Sequence, residues 1–376
     1  DYFFPFAVLF ITKVSMKKVR FLTAVGLLGC SLVTNAGSLE ELKQLFNQKD
    51  IEVNIAITGD YIYTANRDDN IGGQSGYEDK FTYNAFLGIY KNADEKSPFG
   101  FGFSVGQAWF PVVGQEPIPN PDDGNGAFSN SDTNFGIFEA YVEGKLGLVT
   151  VTAGRFATNI GGEAPFTWQN VNIQRGLVWA GEPVWFDGVR VSAQYGNFNG
   201  YVGVNDRDTD DGKMALEVGV GTSFDKVDVR FNVLIPDKND STNTRVYNLT
   251  VNVNYLDYLP LTLYVDYLST PQTGDDADSV GVALLGEFKV NDKLSVGGRI
   301  EYVNNDGDGD NYGIGKGNNA WTFTVTPKYR INKYFYVRGE VSYVTLGNKY
   351  YQKHANNPNS LSDNELRLGA EIAFVF

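Results

Sequence analysis

The feature that most constrains the fold of this chain is an alternation of apolar and polar residues with a period of two, which begins at Ile51 and continues to the last residue. In 366–376 every second residue is apolar, and Arg367, Gly369 and Glu371 lie between them. The same pattern recurs in 247–255, 294–302 and 321–326. Because successive side chains of a β-strand point to opposite faces, the pattern predicts an all-β fold with one apolar and one polar face.

Sixteen segments with this pattern are joined by connections that alternate between short and long. Seven connections are short and eight are long, which is the arrangement of an even-stranded antiparallel barrel with both ends on the short-turn side. The predicted strands span 51–63, 80–91, 98–110, 134–144, 148–157, 185–196, 198–206, 213–224, 226–235, 244–256, 260–269, 279–290, 293–304, 320–331, 334–346 and 364–376.

A water-soluble sandwich would show the same alternation, but the length of the segments favours a transmembrane barrel. A tilted strand needs about 10 residues to cross a bilayer, and aromatic residues such as Tyr61, Trp109 and Tyr255 cluster at the segment ends, as in interfacial girdles. A closed barrel of sixteen strands has no unpaired edge in lipid and encloses a lumen too wide for side chains to fill. We therefore expect a water-filled pore with short periplasmic turns and long extracellular loops.

The residues before the barrel resemble a targeting segment. In 16–36, basic residues precede the apolar run Phe21–Val33 and the small-residue cleavage site at Ala36, which indicates a signal peptide. Residues 1–15 precede Met16 and are interpreted as an upstream extension, with a membrane anchor as the alternative. Residues 37–50 are expected to form a short periplasmic helix, and 51–376 to form the barrel.

The single cysteine, Cys30, and the single histidine, His354, exclude several kinds of site. One cysteine cannot form an internal disulfide, and zinc sites of the Cys/His type have too few ligands. The residues before Cys30 resemble a lipoprotein lipobox, but Leu28 fits it poorly, so we expect Cys30 to be removed with the signal peptide. A net charge of −14 argues against nucleic-acid partners.

No catalytic site or cofactor is expected. A barrel lipase would need a serine and a histidine on rigid strands. His354, Ser360 and Ser362 lie near one another in the sequence, but in a hydrophilic loop. The run 306–311 carries Asp306, Asp308 and Asp310, whose alternate carboxylates are weak candidates for calcium ligands. An EF-hand needs glycine at the position of Asn311, so a solvated acidic loop is the favoured interpretation.

The signal peptide, the alternating strands and the C-terminal Ile372, Phe374 and Phe376 resemble those of general outer-membrane porins, over nearly all of the chain after the signal. Residues 153–190 are similar to an element of the β-barrel porin families of Gram-negative bacteria. The resemblance implies an outer-membrane homotrimer in contact with lipopolysaccharide. It also implies that the three C-terminal residues are the signal read by the barrel-assembly machinery.

In general porins the third long loop folds inward and narrows the pore, and here that loop is 158–184. We expect Glu163, Arg175 and Glu182 on the loop, with Arg155 and Arg190, to form the constriction. The expected pore-wall residues are Arg230, Arg299, Arg338, Arg367, Glu301 and Glu340.

An acidic loop opposite a basic wall would create a transverse field that filters ions. The alternative is that the arginines pair individually with inward acids such as Glu301, Glu340 and Glu371 and only solvate the lumen. Simple alternation would also point Arg155 outward.

The leading hypothesis is a porin for passive diffusion of small hydrophilic solutes. Two alternatives stay open: a substrate-specific channel for a sugar or an anion, and a non-conducting surface adhesin or structural barrel. Four aromatic residues in or beside the third loop are candidates for a sugar slide, although packing is favoured for them. They are Phe166, Trp168, Trp179 and Trp185.

Overall fold

The chain divides into two compact units, Asp1–Val53 and Asn54–Phe376. The computed structural model describes residues 39–65, 80–115, 118–119, 135–206, 212–239, 243–271, 277–307, 309–354 and 357–376. The predicted extension 1–15 and signal peptide 16–36 lie outside the described residues. Among the described helices, none is long and apolar enough to cross a membrane.

The first unit contains the helix α1, Leu39–Asn47, which confirms the short helix expected within 37–50. It ends in a Schellman motif, in which the Ile51 and Asp50 N–H groups donate to the carbonyls of Phe46 and Asn47, each at 3.1 Å. Asp50 takes the left-handed conformation, φ 56°, that this cap requires.

The second unit is a closed antiparallel barrel of sixteen strands, as the alternation predicts. Each strand pairs with the next along the chain, and the last strand pairs with the first. The strands are β1 Glu52–Thr64, β2 Lys80–Lys91, β3 Phe99–Gln107, β4 Phe135–Leu146, β5 Val149–Ala157, β6 Trp185–Tyr195, β7 Phe198–Asp206, β8 Met214–Phe224, β9 Val227–Ile235, β10 Arg245–Val253, β11 Leu261–Thr270, β12 Ala277–Lys289, β13 Leu294–Asn305, β14 Asn319–Arg330, β15 Phe335–Leu346 and β16 Asn364–Val375.

Asparagine side chains stabilise two of the short turns by accepting hydrogen bonds from backbone N–H groups of the turn. In the β12–β13 turn, the Asn291 side-chain oxygen accepts hydrogen bonds from the N–H groups of Lys293 and Leu294, both at 2.9 Å. Asn332 accepts in the same way from Tyr334 and Phe335 in the β14–β15 turn. These side chains take the place of a backbone turn partner, so the strands can reverse within a few residues.

The apolar face of the wall points outward and the polar face points inward. In β14, Trp321 and Phe323 are exposed on the outside, whereas the intervening Thr322 and Thr324 are buried. The lumen is therefore occupied behind this part of the wall, because threonines facing open water would be exposed.

The C-terminal residues close the barrel at the β1–β16 seam. Phe376 is buried, and its N–H donates to the Ile55 carbonyl at 2.8 Å. Ile372 is exposed on the outer face, and the Phe374 ring lies 5.0 Å from that of Phe335. Their role as an assembly signal stays a prediction.

The third predicted strand, 98–110, is shorter than expected because the chain leaves the wall after Gln107. Trp109–Phe110 pairs instead with Ile118–Pro119 in a separate two-stranded sheet. The apolar side chains that follow, from Phe110 to Val113, are fully buried, so this segment enters the barrel interior. A second small sheet, Tyr351–His354 with Asn357–Ser362, lies in the last long loop.

Candidate functional site

Residues 158–184, here called the lumen loop, leave β5 and return to β6 through a narrow neck. The Thr158 N–H donates to the Val184 carbonyl at 2.9 Å, which closes the two ends of the loop onto each other. Between these ends the loop folds inward, where it makes hydrogen bonds to inward side chains of β11, β13, β14, β15 and β16. The third long loop thus occupies the lumen as expected.

The loop keeps its own shape through Asn170. The Asn170 side chain accepts a hydrogen bond from the Ala164 N–H at 2.8 Å and donates to the carbonyls of Ala164 and Phe166 at 2.6 and 2.8 Å. One amide therefore ties together a chain reversal that contains the single 3₁₀ turn Thr167–Gln169.

Arg299 on β13 is the first of three buried arginines that hold the loop. Its Nη1 lies 2.7 Å from Glu163 Oε1 and 2.6 Å from the Gln174 carbonyl, and its Nε lies 3.2 Å from Glu301 Oε2. The N–H groups of Leu177 and Val178, both on the loop, donate to Glu301 at 3.2 Å. Loop and wall thus share one buried network of an arginine and two carboxylates.

Arg338 on β15 holds the middle of the loop. It pairs with Glu371 at 2.7 Å and donates to the carbonyls of Thr167 and Asn170 at 2.7 and 2.9 Å. Its neighbour Glu340 accepts from the Gln174 N–H at 3.1 Å. Both side chains are buried under the loop.

Arg367 on β16 holds the segment Pro111–Gln115, which also folds into the lumen. Its guanidinium donates to the carbonyls of Val112 and Gln115 at 3.0 and 2.9 Å and pairs with Glu365 at 2.7 Å. A second internal segment was not expected, because only the third long loop was predicted to fold inward.

Arg175, predicted in the constriction, is completely buried between the two internal segments. Its N–H donates to the Pro111 carbonyl at 2.8 Å, and its side chain donates to the Trp109 carbonyl at 3.2 Å. The guanidinium lies 5.6 Å from the Phe110 ring centre. These contacts join the two segments.

Glu182, also predicted in the constriction, is buried near the end of the loop. Its two carboxylate oxygens accept no hydrogen bond among the described residues. Burial raises the pKa of Glu182 well above its usual range, and the neighbouring carboxylates of Asp266, Glu163 and Glu301 raise it further.

Arg190 and Arg155 belong to the wall, and each pairs with a carboxylate of the wall. Arg190 on β6 forms a two-pronged pair with Glu217 on β8, at 2.8 and 3.0 Å. Arg155 pairs with Asp187 at 3.5 Å. The Arg155 Nε also donates to the Phe138 carbonyl at 3.1 Å, and its guanidinium lies 6.0 Å from the centre of the Trp185 ring.

The four aromatic residues weighed as a sugar slide lie within the packed interior. Phe166 stacks on Trp168 at 4.7 Å, and Phe166, Trp179 and Trp185 are each at most 5% exposed. They pack with Phe110 and other apolar side chains in one cluster. The aromatic surface is thus used for packing.

Open space remains on the opposite side of the lumen, between the loop and β4–β10. A cavity of about 210 Å³ lies between Gly161, Gly162 and the wall, and another of about 250 Å³ reaches Lys145 and Tyr201. Both cavities are lined by Asn199 and Arg230. Of the charged residues predicted for the pore, Arg230 is the one that lines these cavities.

The candidate calcium ligands have other partners. Asp310 accepts hydrogen bonds from Asn305 and from the Ile314 N–H, both at 2.8 Å, and from the Tyr350 hydroxyl. Asp306 is exposed, and Asp308 lies outside the described residues. Within the described part of the chain, no three Asp, Glu, His or Cys side chains are arranged to hold a metal ion.

Several residues that build this site carried no signal in the sequence. They are Asn170 and Gln174 on the loop, Tyr264 on β11, which donates to Glu163 at 3.0 Å, and Glu217. Gln174, Tyr264 and Glu217 act through partners that are distant along the chain, and Asn170 acts within the lumen loop itself, so no periodic pattern marks these contacts.

Comparison with known proteins agrees with this architecture. The family described as "Putative beta-barrel porin-2, OmpL-like" matches residues 50–376. The chain belongs to this porin family. Its barrel is an outer-membrane channel of a Gram-negative bacterium, as predicted. No curated protein sequence is detectably similar to the chain.

Solved porins share the fold of this family member at low sequence identity. The trimer form of OmpT from Vibrio cholerae has a TM-score of 0.56 at 11% identity, covering 87% of this chain and 99% of that one. The anion-selective porin from Comamonas acidovorans also has a TM-score of 0.56, at 13% identity, with the same coverage. The outer membrane channel DcaP of Acinetobacter baumannii has a TM-score of 0.57 at 14% identity, covering 87% and 97%.

Proposed function

We propose that this porin conducts small hydrophilic solutes and ions by passive diffusion, along a water-filled path that the lumen loop narrows. The observation that carries the proposal is the closed barrel with a docked internal loop and polar cavities beside it. The barrel removes every backbone edge from lipid, and the cavities offer water a polar route. The proposed activity is permeation without catalysis.

The three buried arginines support a permanent constriction. Arg299, Arg338 and Arg367 each pair with a carboxylate at 2.7 Å and also hold loop or internal-segment carbonyls. Buried charge-assisted hydrogen bonds are short and costly to break. A loop held in this way narrows the lumen at all times.

The test is the conductance of purified protein in a planar lipid bilayer. We expect discrete, ohmic single-channel steps. A properly folded barrel that stays silent would refute the proposal and favour a surface adhesin or structural barrel.

Liposome swelling separates a general porin from a substrate-specific channel. For a general porin, influx should fall smoothly as the size of a neutral solute increases. A specific channel would instead admit one solute much faster than others of its size, and that solute would block ion conductance in a saturable way.

We also propose that the chain, exported by the signal peptide 16–36, is inserted by the barrel-assembly machinery and forms a homotrimer among lipopolysaccharide molecules. The trimer form of the Vibrio cholerae OmpT barrel supports the trimer. Cross-linking in native outer membranes should yield a ladder that ends at three subunits. A ladder that ends at the monomer would contradict it.

A further inference from the structure

The inward-facing arginines fall into two groups that differ in what surrounds them. Arg299, Arg338 and Arg367 are at most 4% exposed and are paired with carboxylates. Arg230, in contrast, is exposed, and within the described part of the chain it makes no hydrogen bond or ion pair. Only an unpaired, exposed guanidinium keeps its full charge available to a passing ion.

The neighbours of Arg230 across the sheet leave its side chain uncovered. Its register partners are Gly221 on β8 and Thr250 on β10, which carry no side chain and a short one. Arg230 alternates with Asn232, whose side chain is buried in the interior, so both point into the lumen. The guanidinium therefore stands free between the wall and the loop.

The charge along this path is positive although the chain as a whole carries −14. The charged residues that line the two cavities are Lys145, Asp228 and Arg230, two cations against one carboxylate. Lys145 is half-buried, and, like Arg230, its side chain has no hydrogen bond or ion pair among the residues that the structure describes. Close by, Arg190 and Glu217 neutralise each other at 2.8 Å.

We propose that solutes cross the lumen along the β4–β10 side and that Arg230, assisted by Lys145, makes this path selective for small anions such as chloride and inorganic phosphate. The inference rests on the proposed channel function and deepens it. Fixed charges lining a narrow passage concentrate ions of opposite sign, so the local charge decides the selectivity and the net charge of the chain does not.

The experiment measures the reversal potential in a potassium chloride gradient across a planar bilayer. We expect the wild-type protein to prefer chloride over potassium. Removing one charge about 4 Å from an ion in water changes its local concentration about fivefold, so Arg230→Gln should lower the chloride-to-potassium permeability ratio by roughly that factor. Arg230→Glu should invert the preference, and Arg230→Lys should retain it.

The matched control is Arg245→Gln. Arg245 is an exposed arginine on β10 that alternates with the buried Val246 and therefore lies on the outer face of the same wall. Its removal should leave the permeability ratio unchanged. Folding of every variant is checked by heat-modifiable electrophoretic mobility, and Lys145→Gln supplies a second test of the same path if Arg230→Gln does not fold.

The possible outcomes separate the two proposals. A wild-type channel that prefers potassium, or a folded Arg230→Gln channel with an unchanged ratio, would overturn the anion path and leave the channel function intact. Folded wild-type protein that does not conduct would overturn the channel function and the anion path with it.

Discussion

Arg299 contacts both a carboxylate and a carbonyl of the lumen loop, and replacing this residue tests whether it holds the loop in place. Arg299→Met keeps an unbranched apolar stem and removes the guanidinium with its charge. It leaves the carboxylates of Glu163 and Glu301 buried without the cation that lies 2.7 and 3.2 Å away. Breaking a buried pair by removing one partner costs about 3–5 kcal/mol.

The expected cost lies at the lower end of that range because both carboxylates keep other donors. Glu163 still accepts from the Tyr264 hydroxyl at 3.0 Å and from the Gly176 N–H at 2.8 Å. Glu301 still accepts from Thr322 and from loop N–H groups. A loss of about 3 kcal/mol shifts the ratio of docked to undocked loop roughly 100-fold.

Single-channel recording is the assay, since an undocked loop leaves the lumen wider. Arg299→Met should show a larger unit conductance, or rapid transitions to a larger level, and faster proteolytic cleavage within 158–184. The control Arg330→Met removes an exposed arginine at the end of β14 and should leave the unit conductance nearly unchanged.

The double variant Arg299→Met/Glu163→Gln separates the charge from the shape of the side chain. It removes one of the two stranded carboxylates, so part of the docking should return. A folded Arg299→Met channel with wild-type conductance and protease resistance would refute the reasoning that this cluster holds the loop.

Three further predictions follow from single contacts. The raised pKa of Glu182 means that its contribution to loop docking is present at low pH and is lost as the pH rises through the raised value. Open-channel noise should therefore increase toward alkaline pH. Glu182→Gln should abolish that pH dependence, and an unchanged profile would count against the prediction. Gly161 has φ 98°, and a Cβ added there would meet the Glu182 carboxylate. Gly161→Ala should therefore weaken loop docking by more than about 1 kcal/mol, which faster proteolysis of the loop would show. In the control Gly144→Ala the added Cβ meets no atom within 4 Å, so this variant should be cleaved like wild type. Phe376→Ala removes a buried ring at the barrel seam and should lower the yield of heat-modifiable folded protein in the outer membrane, and a wild-type yield would argue against Phe376 as an assembly signal.

The wall could be predicted from the sequence because its signal is local. A lipid-facing strand must expose apolar side chains at every second position, so Trp321, Phe323 and Val325 reveal both the strand and its orientation. Strand ends were less well defined, since Trp109–Phe110 continues the pattern of β3 although the chain has already left the wall.

The arrangement inside the lumen could not be predicted, because it depends on pairings between distant residues. Arg230 and Arg299 both alternate with apolar neighbours on their strands, and nothing in either segment distinguishes them. The difference arises from Glu163, more than 100 residues away from Arg299 along the chain, which folds against one of them and not the other. Entry of Pro111–Gln115 into the lumen is equally non-local, since it depends on the Arg367 guanidinium.

Paired and unpaired arginines contribute differently to the electric field inside the barrel. An arginine that binds a carboxylate and two backbone carbonyls forms a nearly neutral cluster, and its field falls off steeply with distance. Arg338 and Glu371, at 2.7 Å, therefore act on the loop and hardly at all on an ion crossing the opposite side of the lumen. Loop docking places a carboxylate beside some arginines and not beside others. It therefore also determines which charges in the lumen remain unpaired. The ion selectivity of the pore is then set by a few unpaired charged residues, Arg230 above all. The width of the constriction is set by the paired arginines that hold the loop. Mutations should therefore be able to change selectivity and width separately.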